Sequence, residues 1–361
     1  MKILIAAIVV FGSLIVGVAV YALAEKRSYE KLSDTKDLKD RIAKLAEPYM
    51  AKRTNGALVI AVLQNGNEHV QGFGTPAPDR STLYEIGSIT KVFTAITLAN
   101  LSKDGLIKLD DPVSKCFPAN ANVPTNITFK HLATHSSGLP RLPDNFFRVV
   151  GTSANPYIAY KKEHLYDYFR TVKKLKDPGS PSGYSNLGFG LLGHALELCA
   201  GKPYATLLNQ NVLGPLAMQN TSVTNASLIA GHDTKDRGVP NWDFDVLAGA
   251  GALRSNAEDM LKFLRAQLEP EKTPIAAALR ECQKRHAKGM GLAWHFQNTV
   301  EGLTFIWHNG GTAGYRTFVG FDPQQKTAVV LLSNYGDAFA NDDSIDKMGF
   351  EILKLASKIS L

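Results

Sequence analysis

Cysteine is scarce in this chain of 361 residues, which contains only Cys116, Cys199 and Cys282. Three widely spaced cysteines are too few for the disulfide scaffold of a small secreted domain. In an oxidising compartment, one arrangement is a single bridge plus one buried thiol, and the other is three reduced thiols. The cysteines leave this choice open. The chain is instead long enough to form a large apolar core, and 45% of its residues are hydrophobic.

Metal-binding and nucleic-acid-binding patterns are also missing. The sequence has no C-x-x-C motif, no H-E-x-x-H motif and no dense cluster of histidine and aspartate, so we expect neither a metal nor another cofactor. The net charge is +7, but the basic residues are scattered among acidic ones and do not alternate with aromatic residues in a block. This pattern is typical of solvated surfaces and argues against a nucleic-acid partner. No feature of the sequence predicts an oligomeric state.

The first 24 residues differ from the rest of the chain. Lys2 is followed by an uncharged run over residues 3–24, which ends in A-L-A before Glu25. This ending has the form of a signal-peptidase site. The run is also as long as the roughly 20 residues that a membrane-spanning helix needs, so an uncleaved N-terminal anchor is the alternative. In both cases residues 25–361 are expected to be exported to a periplasmic or other extracytoplasmic space.

A serine and a lysine coincide with a predicted helix start in the stretch YEIGSITK. Ser88 follows an extended run that Gly87 ends, and apolar residues at helical spacing come after it. Ser88 and Lys91 are therefore one turn apart on one helix face, where the amine can reach the hydroxyl. A cation beside a serine at a helix start is one route to an activated nucleophile. The alternative is an N-cap serine with a solvated lysine.

The same S-x-x-K spacing occurs elsewhere, at Ser28 with Lys31, Ser33 with Lys36 and Ser344 with Lys347. These three pairs lie in polar, charge-rich stretches, with no strand before them and no apolar helix after them. The sequence context therefore singles out Ser88.

Strand and helix signals predict an α/β (α+β) fold, in which one antiparallel sheet is assembled from both ends of the chain and flanked by helices. Predicted strands cover residues 56–63, 69–74, 289–296, 303–307, 315–322 and 326–334, and a turn at Gln64-Asn65-Gly66-Asn67 joins the first two. Predicted helices cover residues 38–52, 128–135, 157–172, 186–200, 204–212, 257–268, 274–285 and 348–359, besides the helix after Ser88. The α/β part spans about 37–105 and 286–361, and a mostly helical subdomain spans about 106–285.

Two further clusters of polar residues follow Ser88 in the chain. Tyr184, Ser185 and Asn186 come after a Pro/Gly/Ser-rich stretch and just before an apolar helix, so their side chains can face a cleft; the alternative is a loop tyrosine beside a capping asparagine. The stretch WHNGGT begins at Trp307, between two β-rich runs. Here the alternative is an ordinary type I′ hairpin turn at Asn-Gly, with a histidine at the strand end.

The order S-x-x-K, Y-x-N and H-x-G, followed by Gly-Thr and a β-rich strand, resembles the serine β-lactamase and penicillin-binding protein superfamily. The resemblance is to its class C branch, with the related DD-peptidases and esterases. YEIGSITK departs from the class C signature only at Thr90, where that signature has serine or alanine. The similarity extends over about 56–334 and includes HLATHSSGLP, AGAGALRSNAEDMLKFL and the run over 310–323.

The resemblance implies an acyl-enzyme at Ser88, with proton transfer shared between Lys91 and Tyr184. It implies that Asn186 donates to the acyl-side amide of the substrate. It also implies that the backbone N–H groups of Ser88 and Gly311 form the oxyanion hole.

The third motif departs from the class C pattern, which usually has K-T-G. This chain has His308, Asn309 and Gly310, as in the H-x-G of some DD-peptidases and esterases. A histidine of ordinary pKa is mostly neutral at pH 7, so we expect the anchor for a substrate carboxylate to be weaker or pH-dependent unless Arg316 contributes. This departure favours D-amino-acid peptides or esters over efficient hydrolysis of β-lactam antibiotics.

Three functions follow as expectations. The first is a serine hydrolase that cleaves β-lactams or D-Ala-terminated cell-wall peptides, the second is an esterase on the same fold, and the third is a non-catalytic binding module. No catalytic residue is missing, which disfavours the third. The sequence does not give the rate of deacylation, which separates a β-lactamase from a penicillin target.

Overall fold

The computed structural model of this chain describes residues 37–179, 183–224, 227–300, 302–336 and 344–358. The predicted export segment, residues 1–24, lies outside these described residues. Within the described part of the chain, no helix is both long enough and apolar enough to cross a membrane.

A six-stranded antiparallel sheet forms the centre of the fold. Its strands are β1 (Ala57–Gln64), β2 (Asn67–Gly74), β7 (His295–Asn298), β8 (Thr304–Gly311), β9 (Arg316–Asp322) and β10 (Thr327–Ser333). Their order in the sheet is β2-β1-β10-β9-β8-β7, so strands from the two ends of the chain meet where β1 pairs with β10. The predicted α/β fold with an antiparallel sheet assembled from both ends is confirmed.

Two short strand pairs lie outside this sheet. They are β3 (Tyr84–Glu85) with β6 (Arg254–Ser255), and β4 (Gly231–His232) with β5 (Gly238–Val239). Strand β3 ends at Glu85, shortly before Ser88, so its pairing with β6 holds the part of the chain that leads to the predicted nucleophile.

Helices cover both faces of the sheet and fill most of the chain between β2 and β7. They are α1 (Leu38–Met50), α2 (Thr90–Lys103), α3 (Phe129–Ala133), α4 (Phe146–Val150), α5 (Pro156–Ala159), α6 (Lys162–Thr171), α7 (Asn186–Ala200), α8 (Tyr204–Leu208), α9 (Ala257–Leu268), α10 (Ala276–Gln283) and α11 (Ile345–Ala356). Helices α7 and α9 have the predicted bounds. Each begins at a capping side chain, Ser185 or Asn256, which accepts a backbone N–H of the first turn.

The sheet separates two apolar cores. Every residue of β1 is buried, and its side chains alternate between the two faces. Val59 and Ala61 belong to the core that contains α2, α7 and α9. Leu58 and Ile60 belong to the core under α1 and α11. The predicted site therefore lies on the side of the sheet that carries most of the helices.

Two predicted elements differ from the structure for local reasons. The predicted helix over 157–172 is interrupted at Lys161, whose extended backbone N–H is capped by His164 Nδ1 at 3.0 Å, so that α6 starts anew. The predicted strand over 289–296 begins only at His295. Gly289 (φ +73°) and Ala293 (φ +64°) are in the left-handed region, which is incompatible with a continuous strand.

Cys116 and Cys199 form a disulfide, with 5.1 Å between their Cα atoms, and Cys282 is a buried free thiol. Of the two arrangements left open by the sequence, the structure has the single bridge. The bridge joins the C-terminal end of α7 to the loop that follows α2.

Candidate active site

Ser88 lies on a single 3-10 turn, Gly87–Ile89, that leads directly into α2. The backbone of Gly87 has a φ of +50°, and a Cβ atom there would lie 2.6 Å from the amide nitrogen of Gly311 on β8. Only glycine fits this position, because the nucleophile turn and the β8 strand are in direct contact. The residues of α2 from Thr90 to Leu101 are buried, so the helix behind Ser88 is held on all sides.

Lys91 is completely buried below Ser88. Its Nζ lies 3.0 Å from Ser88 Oγ, 2.9 Å from Asn186 Oδ1 and 2.6 Å from the carbonyl oxygen of Ala250. Burial, and secondarily the positive charge of Arg141, holds the pKa of Lys91 well below its usual range.

A neutral amine at this position can accept the proton of Ser88. It has two N–H donors and one lone pair, and the two oxygens of Asn186 and Ala250 accept only. With both donors used on these oxygens, the lone pair is left for the Ser88 hydroxyl, which donates to it. The arrangement is that of a general base beside a nucleophile.

Tyr184 stands on the other side of Ser88 and lies close to its side chain. The Lys91 Nζ is 4.8 Å from the centre of the tyrosine ring and the Arg141 Cζ is 5.2 Å from it. Burial nevertheless raises the pKa of Tyr184, so the side chain remains a phenol. Of the two proton acceptors that the sequence left open, the geometry favours Lys91, and Tyr184 is suited to pass a proton onward.

Ser88 opens onto a cleft of about 410 Å³. The described residues that line it are Ser88, Arg141, Leu142, Tyr157, Tyr184, Asn186, Trp242, His295, Asn309, Gly311, Thr312 and Arg316. The structure thus brings together residues of all three predicted motifs. The predicted oxyanion donors, the N–H groups of Ser88 and Gly311, belong to segments in direct contact, and their role remains a prediction.

The H-x-G motif lies inside β8 and does not form a turn. Asn309 pairs with Phe318, Gly310 with Thr317 and Gly311 with Arg316 on β9. The alternative of a type I′ hairpin turn at Asn309-Gly310 is therefore wrong. A Cβ atom on Gly310 would collide with the carbonyl oxygen of Ile86, so glycine is required where the strand passes the nucleophile turn.

His308 is completely buried and does not line the cleft. Its ring centre lies 6.2 Å from that of Tyr184 and 5.2 Å from that of His295. Burial, with the nearby His295 and Lys91, holds the pKa of His308 well below its usual range. The prediction that His308 contacts a substrate carboxylate as an imidazolium is therefore corrected: a neutral, buried ring lies behind Tyr184. Sequence could not show this, because it depends on which elements cover the strand.

Arg316 is at the edge of the cleft, as predicted. Its Nη1 donates to the carbonyl oxygens of Thr312 and Tyr315, at 2.8 and 2.9 Å. Asn309 also lines the cleft, and its Nδ2 donates to Asp346 Oδ2 at 2.7 Å. With His308 buried, Arg316 remains the predicted cation in contact with the cleft.

The geometry agrees with comparisons with known proteins. The model of the Beta-lactamase family matches residues 42–347. The chain belongs to the β-lactamase family. The D-alanyl-D-alanine-carboxypeptidase/endopeptidase AmpH of Escherichia coli is 28% identical over 321 residues, which cover 79% of this chain and 80% of that protein. A β-lactamase of Pseudomonas fluorescens is 26% identical over 346 residues, which cover 82% of this chain and 94% of that protein.

A solved class C β-lactamase with a tyrosine-to-phenylalanine substitution has the same fold, with a TM-score of 0.74 and 21% identity over 88% of this chain and 97% of that one. A second class C β-lactamase gives a TM-score of 0.73. The predicted resemblance to the serine β-lactamase and penicillin-binding protein superfamily is confirmed, and the chain is a serine hydrolase.

This β-lactamase family member has five described cleft residues that its motifs do not predict: Arg141, Leu142, Tyr157, Trp242 and His295. Arg141 directly follows the stretch HLATHSSGLP, which is the one sequence signal that could have found it. The Tyr157 hydroxyl accepts from Asn186 Nδ2 at 3.3 Å, and the Tyr157 ring lies 5.1 Å from Trp242. These two aromatic residues form one wall of the cleft.

Glu85 ties this aromatic wall to the nucleophile turn. Its carboxyl group accepts from the backbone N–H of Trp242 at 2.6 Å, and Thr312 lies nearby. Burial raises the pKa of Glu85 to about 7. The acidic residue of YEIGSITK thus acts within the described structure as a buried link between cleft walls.

Proposed function

We propose that this serine hydrolase forms an acyl-enzyme at Ser88 and cleaves amide bonds of β-lactams or of cell-wall peptides that end in D-Ala-D-Ala. The observation that carries the proposal is the 3.0 Å contact between Lys91 Nζ and Ser88 Oγ at a buried amine. A lysine that burial keeps neutral can take a proton at neutral pH, which an ordinary surface lysine cannot.

The chemical steps follow from the positions of these groups. Ser88 Oγ attacks the amide carbonyl carbon while its proton passes to Lys91 Nζ. The negative charge that develops on the carbonyl oxygen is stabilised by the N–H groups of Ser88 and Gly311. Tyr184 relays a proton to the leaving nitrogen as the C–N bond breaks and the ester with Ser88 remains. Water then attacks this ester, its proton passes to the same base, and Ser88 is released with its proton restored.

Cell-wall peptides fit the charge of the cleft. Arg141 and Arg316 line it, and its described lining residues include no aspartate or glutamate. Substrates with a free carboxylate are therefore favoured over cationic ones. The AmpH relative, a D-alanyl-D-alanine-carboxypeptidase/endopeptidase by name, supports the same substrate class.

An esterase is the second candidate. The observation that favours it is the burial of His308, because this chain has no lysine in the third motif and its histidine does not reach the cleft. A weaker carboxylate anchor would allow substrates that lack a carboxylate.

Export from the cytoplasm is part of the proposal. The hydrophobic run over 3–24, with its A-L-A ending, carries it, either as a cleaved signal peptide or as a membrane anchor. The Cys116–Cys199 disulfide supports it, since disulfides persist mainly in oxidising compartments.

Turnover of three substrates tests the proposal: a D-Ala-D-Ala peptide, a chromogenic cephalosporin and a neutral nitrophenyl ester. We expect the peptide or the cephalosporin to have the higher kcat/KM, and Ser88→Ala to lower turnover of all three by about a thousandfold or more. Turnover confined to the ester would favour the esterase. Turnover that survives in Ser88→Ala would contradict the acyl-enzyme mechanism.

A further inference from the structure

A second groove adjoins the catalytic cleft at Arg141 and Tyr184, which line both. It has a volume of about 390 Å³, and its described lining residues all lie between Gly138 and Tyr184 in the chain. None of them comes from the sheet. The groove therefore lies away from the β8 edge, on the helical side of the molecule.

The groove carries positive charge. Lys174 and Lys176 are exposed and line it together with Arg141, whereas Asp144 is the one carboxylate among its described lining residues. These side chains give a net charge of 3 − 1 = +2. Because the catalytic cleft adds Arg316 and no carboxylate among its own described lining residues, one cationic surface runs from Ser88 into the groove.

Backbone contacts hold the segment that carries Lys174 and Lys176 in place. Gly138 has a φ of +78°, and a Cβ atom there would collide with the carbonyl oxygen of Lys176. The N–H of Gly179 donates to the carbonyl oxygen of Ser136 at 2.7 Å. These contacts fix the lysine-bearing backbone against the loop that carries Arg141, so the wall of the groove is built into the fold.

We propose that this groove binds a carboxylate of the substrate's peptide, on the acyl side of the scissile bond. The inference rests on the proposed function, because a peptide that ends in D-Ala-D-Ala has one residue on the leaving side and all its further length on the acyl side. An extended peptide advances about 3.3–3.6 Å per residue, so an acidic residue a few positions before the bond can pass Tyr184 and meet Lys174 and Lys176.

Two peptides that end in D-Ala-D-Ala and differ only in an upstream glutamate or glutamine test this inference. For the wild-type protein at low salt, we expect kcat/KM to be about fivefold higher for the glutamate peptide. The double variant Lys174→Gln/Lys176→Gln should lower this ratio to about twofold or less. Lys173→Gln is the matched control, since Lys173 is exposed on the same segment but does not line the groove, and it should keep the wild-type ratio.

Binding of the same peptides to Ser88→Ala, followed by fluorescence anisotropy, separates the two proposals. If no peptide is hydrolysed, the proposed function fails. The ratio of the affinities for the glutamate and glutamine peptides still tests whether the groove binds a carboxylate. An equal affinity for both peptides, or a preference for glutamate that Lys174→Gln/Lys176→Gln leaves intact, would overturn the inference. A preference for glutamate that is lost in the double variant and kept in Lys173→Gln supports it.

Discussion

Lys91 depends on its surroundings for the property that makes it useful, because a lysine in water is charged at neutral pH. Here burial holds the pKa of Lys91 well below its usual range, which favours the neutral amine, and two carbonyl-type oxygens orient the amine toward Ser88. Lys91→Arg distinguishes a general base from a permanent positive charge, because arginine stays protonated and cannot accept the proton of Ser88. We expect acylation by a β-lactam to slow by about a thousandfold or more in this variant. Rapid acylation by correctly folded Lys91→Arg would show that only the charge matters.

Tyr184 can be tested through its hydroxyl alone. Tyr184→Phe should keep the fold and lower kcat by about a hundredfold or more, because the group that contacts Ser88 and relays the proton is lost. Tyr157→Phe is the matched control: its hydroxyl contacts Asn186 and not Ser88, so we expect a loss of less than about tenfold. Steady-state kinetics of both variants gives the comparison. Wild-type rates in Tyr184→Phe would make this tyrosine a packing residue.

We expect that His308 does not bind the carboxylate of a substrate, because its ring is buried and neutral. The measurement is the ratio of kcat/KM for an anionic β-lactam to that for a neutral ester, followed with pH. The titratable groups beside His308 are His295, Lys91 and His135. Burial lowers the pKa of His295 to about 4 and, elsewhere around the cleft, raises the pKa of Glu85 to about 7 and that of Asp346 to about 6. These groups remain in every variant. We expect His308→Gln to leave the pH dependence of the ratio unchanged. A fall of the ratio through pH 6–7 in the wild type that disappears in His308→Gln would restore His308 as the carboxylate anchor.

The residues of the site differ in how far sequence could predict them. Ser88, Lys91, Tyr184 and Asn186 are predicted because their spacing and the helix starts behind them are local features. The burial of His308 was not predictable, because it depends on tertiary packing against Tyr184 and His295. Arg141 and Trp242 come from loops and Tyr157 from the short helix α5, and the positions of all three are set by the rest of the fold.

At the scale of elements, the contact between β8 and the nucleophile turn aligns two parts of the site. Gly310→Ala would force a Cβ atom against the carbonyl oxygen of Ile86. We expect the free energy of unfolding to fall by about 1–3 kcal/mol and acylation of Ser88 to slow, because the turn must shift. Gly238→Ala is the control, since no atom lies within 4 Å of its added Cβ. Equal stability and equal acylation rates in the two variants would contradict this role of β8.

Elements with a strong local signal were predicted with correct bounds, and elements set by tertiary contacts were not. Helix α7 begins at the capping Ser185, and the turn at Asn65-Gly66 has positive φ angles of 49° and 87°, as its Asn-Gly sequence predicts. The same dipeptide at Asn309-Gly310 is extended, because pairing with β9 overrides the local turn preference. Local chemistry thus determined the β1–β2 hairpin, whereas pairing in the sheet determined the extended backbone at Asn309-Gly310.

At the scale of the whole molecule, strands from both ends of the chain build the sheet, and the chain between them supplies Tyr184, Asn186 and Arg141. The site therefore exists only in the assembled fold, where Lys91 of α2 contacts both Asn186 and Ala250. The antiparallel sheet was predictable from alternating strands at the two ends of the chain. The cationic groove beside the cleft was not, because it requires the loop of Gly138 and the segment of Lys176 to pack together.

Covalent labelling of Ser88 tests the central claim most directly. The intact protein is incubated with a β-lactam, digested and mapped by mass spectrometry. We predict one adduct, on the peptide that contains Ser88, which is absent in Ser88→Ala and present in Ser344→Ala. Ser344 has the same S-x-x-K spacing and, contrary to the expectation that no apolar helix follows it, caps α11 through a 3.2 Å contact with the Lys347 N–H. Its loss therefore costs only about 1 kcal/mol of stability. An adduct on another residue, or one that persists in Ser88→Ala, would contradict the account.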